Sequence, residues 1–496
     1  MRRELLVNVT PPQTRVAILE DGRTVEVLHE RRGRQGLVGN IYLGRVHRVL
    51  PGMQAAFVSI GLERDAFLYV EDVLPRSADL DSDADEDGRE EKREAGDRPR
   101  IDDLVKEGQQ LVVQVTKDPL GGKGPRVTAN LSLPGRTLVY LPGPRAIGIS
   151  RRITNEEERE RLRRILEGLP GEGGLIARTV AAESSGTEFL AEHQYLTQLA
   201  EKIFRKAETL SAPAILHREL DLAVRAVRDL VTGDFAAIRV DEEETYSRLA
   251  EFLGQVAPSL SYRLELDRGP EPLFERFGVE GEIENALKSR VPLPSGGSIV
   301  IHQTEALVAI DVNTGKYVGK EDLEATVFET NLEAVPEVAR QIRLRDLGGL
   351  LVVDFIDMLD EAHRHEVSDR FEAELAKDRA RFRILPVSEF GLIEITRQRS
   401  RGNLEKLLTR SCPDCGGSGR VKTDLTVALE LRRALLSPQF APVAGATVRV
   451  RVRPGLAKFL AEEEPMLLSE LEKELGAAVE LIADATLPPA HYEISG

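Results

Sequence analysis

Asp311 follows the apolar run ALVAI and Asp354 follows LLVV, so each carboxylate is expected at the C-terminal end of a buried strand. In an open α/β sheet that end is where ligands bind. Asn313 lies two residues beyond the first aspartate, and the three together offer the hard oxygen donors that magnesium or manganese takes. A dication held there would polarise a phosphodiester and lower the pKa of a bound water. The competing reading is that strand-terminal aspartates cap turns or helices. Asp357 and Asp360, in FIDMLD, are weaker candidates for the same role, and spacing does not rank them.

A second chemistry sits in CPDCGGSG, which holds the only two cysteines of the chain, Cys412 and Cys415. Two thiols make no disulfide framework. Their spacing is that of a zinc knuckle, and GGSG is too rich in glycine to open the helix that a thioredoxin-type redox pair needs. Structural zinc takes four ligands, and no histidine follows at finger spacing, so a second copy donating its own pair would complete the set. That predicts a zinc-linked homodimer; the alternative is two unligated thiols in a surface turn. Other chemistries lack their motifs: there is no GxSxG, no GxxxxGK[ST] and no HExxH. His363 and His365 are two apart on an expected helix and face different ways.

Weaker signals surround these. Arg178 and Thr179 close the strand-like GLIARTVA, and Arg151 and Arg152 lie in GISRRIT. A guanidinium fork beside a hydroxyl suits phosphate, although strand-end arginines more often line a solvated rim. Lys123, in the loop GGKGPR, is a similar basic contact for a nucleic-acid backbone. Phe57 and Phe67 have strand spacing and serve either as a base-stacking face or as ordinary core.

The elements that would position these residues read as several domains, since 496 residues correspond to about three units. Alternating strands open the chain, with a turn at Asp21–Gly22. Glycine-punctuated short strands over 39–129 suggest a five-stranded OB-type barrel. Within it, residues 77–98 hold ten acidic and four basic side chains, and read as a solvated insert. The net charge of −16 would disfavour a polyanionic partner, but this insert alone supplies −6, so the total decides little. A mixed region follows, with the helix NEEERERLRRILEGL. From 288 strands alternate with helices: the hairpin GGSIVIHQTEALVAIDVN, a long helix from Leu323 to Leu344, GGLLVVDFIDM, a helix from Glu361 to Arg379, and RILPVSEFGLIEITRQR. That pattern implies a sheet covered by helices. No run approaches the roughly 18 apolar residues that span a bilayer, and Leu5–Val7 is too short for a secretory signal, so a cytoplasmic location is expected.

The segments GNIYLGRVHRVLPGMQAAFVSIG, RAIGISRRI, LPSGGSIVIHQTEALVAIDVNTGK, TNLEAVPEVARQIRLRDLGGLLVVDFIDM and CPDCGGSG, in this order, resemble the bacterial ribonuclease E/G family over nearly the whole chain. The chain has no counterpart of the long C-terminal half of many E-type members, which points to the ribonuclease G branch. The resemblance implies an α+β multidomain protein. Its expected parts are an RNase H-like subdomain (1–38 and 224–287), an S1-type RNA-binding barrel (39–129), a 5′-sensor region (130–223), a DNase I-like catalytic subdomain (288–408), a zinc link (409–420) and a small dimer-forming α/β domain (421–496). It implies an endoribonuclease that uses magnesium (or manganese) to cut single-stranded RNA, leaving 5′-phosphate and 3′-hydroxyl ends. Its expected roles are maturation of ribosomal RNA, including the 16S 5′ end, and messenger decay.

By the same resemblance Asp311 and Asp354 bind magnesium and Asn313 assists at the scissile phosphate. Gly135, Val139, Arg178, Thr179 and Arg381 match a pocket for a 5′-monophosphate. Phe57, Phe67, Lys123 and Arg151 fall among RNA contacts, and Cys412 and Cys415 share zinc between protomers of a homodimer, with pairing of dimers open. A non-hydrolytic RNA-binding ribosome-assembly factor is the alternative; the intact Asp311, Asn313 and Asp354 set speaks for the enzyme.

Overall fold

The computed structural model describes residues 2–31, 36–74, 99–119, 122–315, 323–388, 390–398, 403–438, 440 and 446–495; the acidic insert 77–98 lies outside them. The chain divides into two compact units, Met1–Leu404 and Glu405–Gly496.

The first unit opens with an antiparallel meander, Arg3–Thr10, Gln13–Glu20 and Arg23–Arg31, turned at Asp21 and Gly22, both with positive φ. Two strands from far along the chain complete this sheet in parallel: Phe235–Val240 beside Arg3–Thr10, then Leu264–Leu266. Helices Leu222–Leu230 and Glu243–Val256 bury its apolar face, with Leu5, Val7, Val16 and Ile18 against Val227, Leu249 and Leu253.

Between these halves the chain builds a closed barrel. Ile41–Leu50 pairs with Ala55–Ser59, which continues through Ala66–Tyr69, Arg126–Thr128 and Gln110–Lys117 back to Ile41–Leu50. Five strands thus close as expected, and a sixth, Ala214–His217, adds to the outside of Ile41–Leu50. A four-stranded sheet follows: Leu133–Pro134, Leu138–Leu141, Gly174–Ala177 and Ala146–Ile149, covered by helices Glu156–Glu167 and Gly186–Thr209. GLIARTVA is strand only to Ala177, since a tight turn takes over from Thr179, where the N–H of Ala181 bonds to the Arg178 carbonyl.

The last sheet of this unit runs Arg290–Pro292, Ser298–Gln303, Leu307–Asn313, Gly349–Asp354, Leu392–Arg397 and Phe382–Ile384. The two central strands are parallel and the other pairings antiparallel. Helices Leu323–Leu344 and Glu361–Leu375 lie on one face, where Val335, Val338, Ile342, Val367 and Phe371 pack with Ile310, Val312, Leu351 and Val353. The second helix stops short of Arg379: buried Arg397 holds the Asp378 carboxylate at 2.7 Å, and Asp378 turns back to accept from the N–H of Ala380 at 2.9 Å. The long helix is tied to the opening meander by buried charges. Glu20 sits between Arg3 and Arg343, each with an N–H 2.9 Å from its carboxylate. Burial alone would raise the Glu20 pKa, but the two guanidiniums hold it below the ordinary carboxylate range. Truncating one member would strand a charge, at a cost of about 3 kcal/mol.

The second unit has the sheet order Ala478–Ala483, Thr447–Val452, Tyr492–Ser495, packed on helices Asp424–Leu435 and Pro465–Leu475.

Candidate active site

Along Leu307–Asn313 the side chains alternate: Val308, Ile310 and Val312 are buried and Asp311 is exposed. A strand places i and i+2 on one face, so Asp311 and Asn313 share the face opposite the helices. Gly349–Asp354 alternates likewise, with Leu351 and Val353 inside and Asp354 outside. The two strands pair in parallel, and in their register Asp311 stands directly beside Asp354. The carboxylates are therefore immediate neighbours on an open face. Asp311 does not end its strand, which runs on to Asn313, so the pair sits on the surface of the sheet near its C-terminal edge. Asn313 Nδ2 donates to Asp311 Oδ2 at 2.6 Å.

The loop after Asp354 is anchored. Asn331, fully buried in the long helix, takes both backbone groups of Ile356: its Nδ2 donates to the carbonyl at 2.8 Å and its Oδ1 accepts the N–H at 3.1 Å. The Glu324 carboxylate accepts the N–H groups of Leu359 and Asp360 and meets His363 Nδ1 at 3.0 Å. Gly391, at φ +74°, lets the loop pass; a Cβ there would lie 3.1 Å from the Phe355 carbonyl. The two weaker aspartates separate. Asp360 caps the next helix, accepting from Ala362 at 2.8 Å, whereas Asp357 faces Asp354 electrostatically.

The Asp354 carboxyl is pushed above its usual range, first by burial, then by the negative charges of Asp311 and Asp357. Such a repulsive group is relieved by a dication, and the donor set fits one. Among the described residues no group of three or more His, Cys, Asp or Glu is arranged for a metal. An ion here would draw on Asp311 and Asp354 and leave its other positions to water or phosphate oxygens, as magnesium commonly does.

On the barrel, Ala56, Val58, Ala66 and Leu68 fill the interior. Phe57 and Phe67, one residue out of phase, stand outside as cross-strand partners, edge to face at 5.6 Å. They are not core. Tyr69, two residues beyond Phe67 and exposed, continues the row at 4.5 Å, with the Arg126 guanidinium 4.7 Å from its ring centroid. The same strand spacing carries Tyr69, which the resemblance does not include among the RNA contacts. Lys123 is exposed beside this row, because Pro125 accepts the N–H of Phe67 at 2.8 Å and Gly124 packs on the Asp65 carbonyl.

Four of the five expected phosphate-pocket residues converge. Arg178 Nη1 donates to the Gly135 carbonyl, and its backbone N–H to Thr137 at 2.8 Å. Val139 pairs with Pro134 on one side and Ile176 on the other. Thr179 Oγ1 lies 3.1 Å from Ser150 Oγ, in the turn that carries exposed Arg151. Arg381 is exposed just ahead of Phe382–Ile384, a strand of a different sheet; its segment approaches through Arg152, which donates to the Arg379 carbonyl at 2.8 Å. Glu192, which has no sequence signal, supports the turn at 135–137 from behind. Fully buried, its carboxylate accepts from the N–H groups of Arg136 and Thr137 and from the Thr137 hydroxyl. Burial raises its pKa, and a Cβ at position 135 would clash with it, so only glycine fits.

In the second unit Gly416, Gly417 and Gly419 all adopt positive φ, folding the chain around Cys415. Gly416 N–H bonds to the Cys412 carbonyl at 2.8 Å and Gly419 N–H to Cys415 Sγ at 3.3 Å. The N–H groups of Gly419 and Gly417 lower the Cys415 pKa, favouring the thiolate that binds metal. The turn thus offers two sulfur donors, two fewer than structural zinc takes.

Residues 132–400 match the model of the "Ribonuclease E/G family", and residues 411–496 that of an "RNase E/G, Thioredoxin-like domain". The chain is 42% identical to ribonuclease G of Escherichia coli strain K12 over 482 residues, 97% of each chain. It is 40% identical to ribonuclease G of Haemophilus influenzae, covering 96% of each. Ribonuclease E of Haemophilus influenzae is 36% identical over 99% of this chain and 52% of its own.

Proposed function

The chain belongs to the ribonuclease E/G family and is an endoribonuclease, and from that premise we propose that it cuts single-stranded RNA with magnesium or manganese held by Asp311 and Asp354. The observation that carries this reading is the register that sets the two carboxylates side by side on an exposed face. Asp311 and Asp354 would hold a dication that, when bound, would polarise the scissile phosphate and make a water more acidic, consistent with 5′-phosphate and 3′-hydroxyl ends. Asn313 holds Asp311 through its amide, which fixes one carboxylate oxygen. Asn331 keeps Asp354 in place by pinning both backbone groups of Ile356, two residues on. Phe57 and Phe67 stack bases of the substrate, with Lys123 and Arg151 on its phosphates.

Gly135, Val139, Arg178 and Thr179 form the 5′-monophosphate pocket, with Arg381 joining from the segment that Arg152 holds, so that an RNA with that end is cut faster. We read the opening sheet as RNase H-like, the aspartate sheet as DNase I-like, and Cys412 and Cys415 as half of a zinc link in a cytoplasmic homodimer. Among the described residues no helix is long and apolar enough to cross a membrane. Ribosomal RNA precursors, including the 16S 5′ end, and messengers are the proposed substrates. Cleavage of one unstructured RNA bearing 5′-monophosphate, 5′-hydroxyl or 5′-triphosphate tests the reading. Arg178→Ala should slow only the first toward the other two, and an equal loss on all three would make Arg178 a general RNA contact.

A further inference from the structure

We propose that Asp229 is the positioning residue of the 5′-phosphate pocket, setting the edge that Arg178 offers to the phosphate; this rests on the pocket assigned above. Arg178 Nη1 is held twice, by the Gly135 carbonyl and by Asp229 Oδ1 at 2.8 Å. Its Nε and Nη2 have no hydrogen-bond partner among the described residues, and the side chain is 25% exposed. A guanidinium clamped through Nη1 presents its Nε and Nη2 hydrogens side by side, the arrangement that grips two phosphate oxygens at once.

Asp229 is itself fixed from behind. Arg228 donates Nε to its Oδ1 and Nη2 to its Oδ2, both at 3.0 Å, and Arg228 Nη1 reaches Glu219 at 2.7 Å. Arg228 is buried, and the N–H of Glu219 bonds to Asn40 Oδ1 at 2.8 Å, just ahead of the first barrel strand. The pocket arginine is thus the exposed end of a chain of charges rooted in the barrel. Every oxygen of Asp229 accepts from a guanidinium, so an amide cannot replace it: whichever way the side chain of an Asp229→Asn variant turned, its NH₂ would face the donors of Arg228 or Arg178. Glutamate could keep the charge and acceptors on a longer arm.

The test compares kcat/KM on 5′-monophosphorylated and 5′-hydroxyl forms of one short RNA, for wild type, Asp229→Asn, Asp229→Glu and Arg178→Ala. The ratio within one preparation is independent of the fraction that is folded. Asp229→Asn should lower the ratio about tenfold, as for loss of one charge-assisted hydrogen bond, and Asp229→Glu should regain part of it. If Arg178→Ala lowers the ratio and Asp229→Asn does not, the positioning role is overturned and the pocket stands. If wild type shows no preference, or Arg178→Ala keeps it, the pocket assignment falls as well.

Discussion

Asp311→Asn and Asp354→Asn should each stabilise the protein while abolishing its chemistry. The carboxylates are register neighbours on adjacent strands, about 5 Å apart by the spacing of a sheet. Two unit charges at about 5 Å repel by roughly 0.8 kcal/mol in water and about 3 kcal/mol at an effective dielectric constant near 20. Both groups are exposed, which places the expected gain near the lower end, about 1 kcal/mol. Asparagine keeps the shape, and at position 311 its carbonyl still accepts from Asn313. In EDTA at neutral pH each variant should therefore unfold roughly 1 to 2 °C above wild type. Magnesium at about ten times its dissociation constant adds about 1.4 kcal/mol to a protein that binds it. It should raise the wild-type midpoint past those of the variants and leave theirs in place, reversing the order. Scanning calorimetry of the three proteins with and without magnesium reads both effects. Variants less stable than wild type in EDTA, or an equal magnesium shift in all three, would refute the repulsive-pair reasoning.

Asn331→Ala leaves both backbone groups of Ile356 without their partner and should cost about 1 to 3 kcal/mol in denaturant unfolding. Cleavage should fall by on the order of tenfold through displacement of Asp354; unchanged cleavage would show that the loop holds itself. Wild type should contain one zinc per two chains by native mass spectrometry, and Cys412→Ser with Cys415→Ser should yield zinc-free monomers. Among the described residues both ring nitrogens of His29 are buried without a partner, and burial, with Arg15 and Arg31 nearby, lowers its pKa to about 4. The unfolded chain takes up that proton below its ordinary 6.5 and the folded one does not until about 4. Stability should therefore fall as pH drops through this window, by on the order of 3 kcal/mol, and His29→Leu should remove that part of the slope in chemical unfolding.

The aspartates and cysteines were legible because their signals are local: a carboxylate after an apolar run, two thiols before a glycine turn. That Asp311 and Asp354 are register partners was not, since parallel pairing joins strands separated by a long helix. Whether Phe57 and Phe67 face in or out turns on a single-residue phase, and small alanines at 56 and 66 conceal which phase fills the barrel. Asp360 and Asp357 differ only in what they meet, a helix N-terminus and another carboxylate. Asn331, Glu192 and Asp229 lie in or at the end of ordinary helical stretches. Their importance comes from a distant peptide or guanidinium, and nothing in their own segments marks it.

The most direct test of the catalytic assignment is cleavage of a short, unstructured, 5′-monophosphorylated RNA by wild type in magnesium, by wild type in EDTA, and by Asp354→Asn in magnesium. The account predicts cutting in the first reaction alone, with 5′-phosphate and 3′-hydroxyl products. Cutting by Asp354→Asn at the wild-type rate, or by wild type in EDTA, would contradict it.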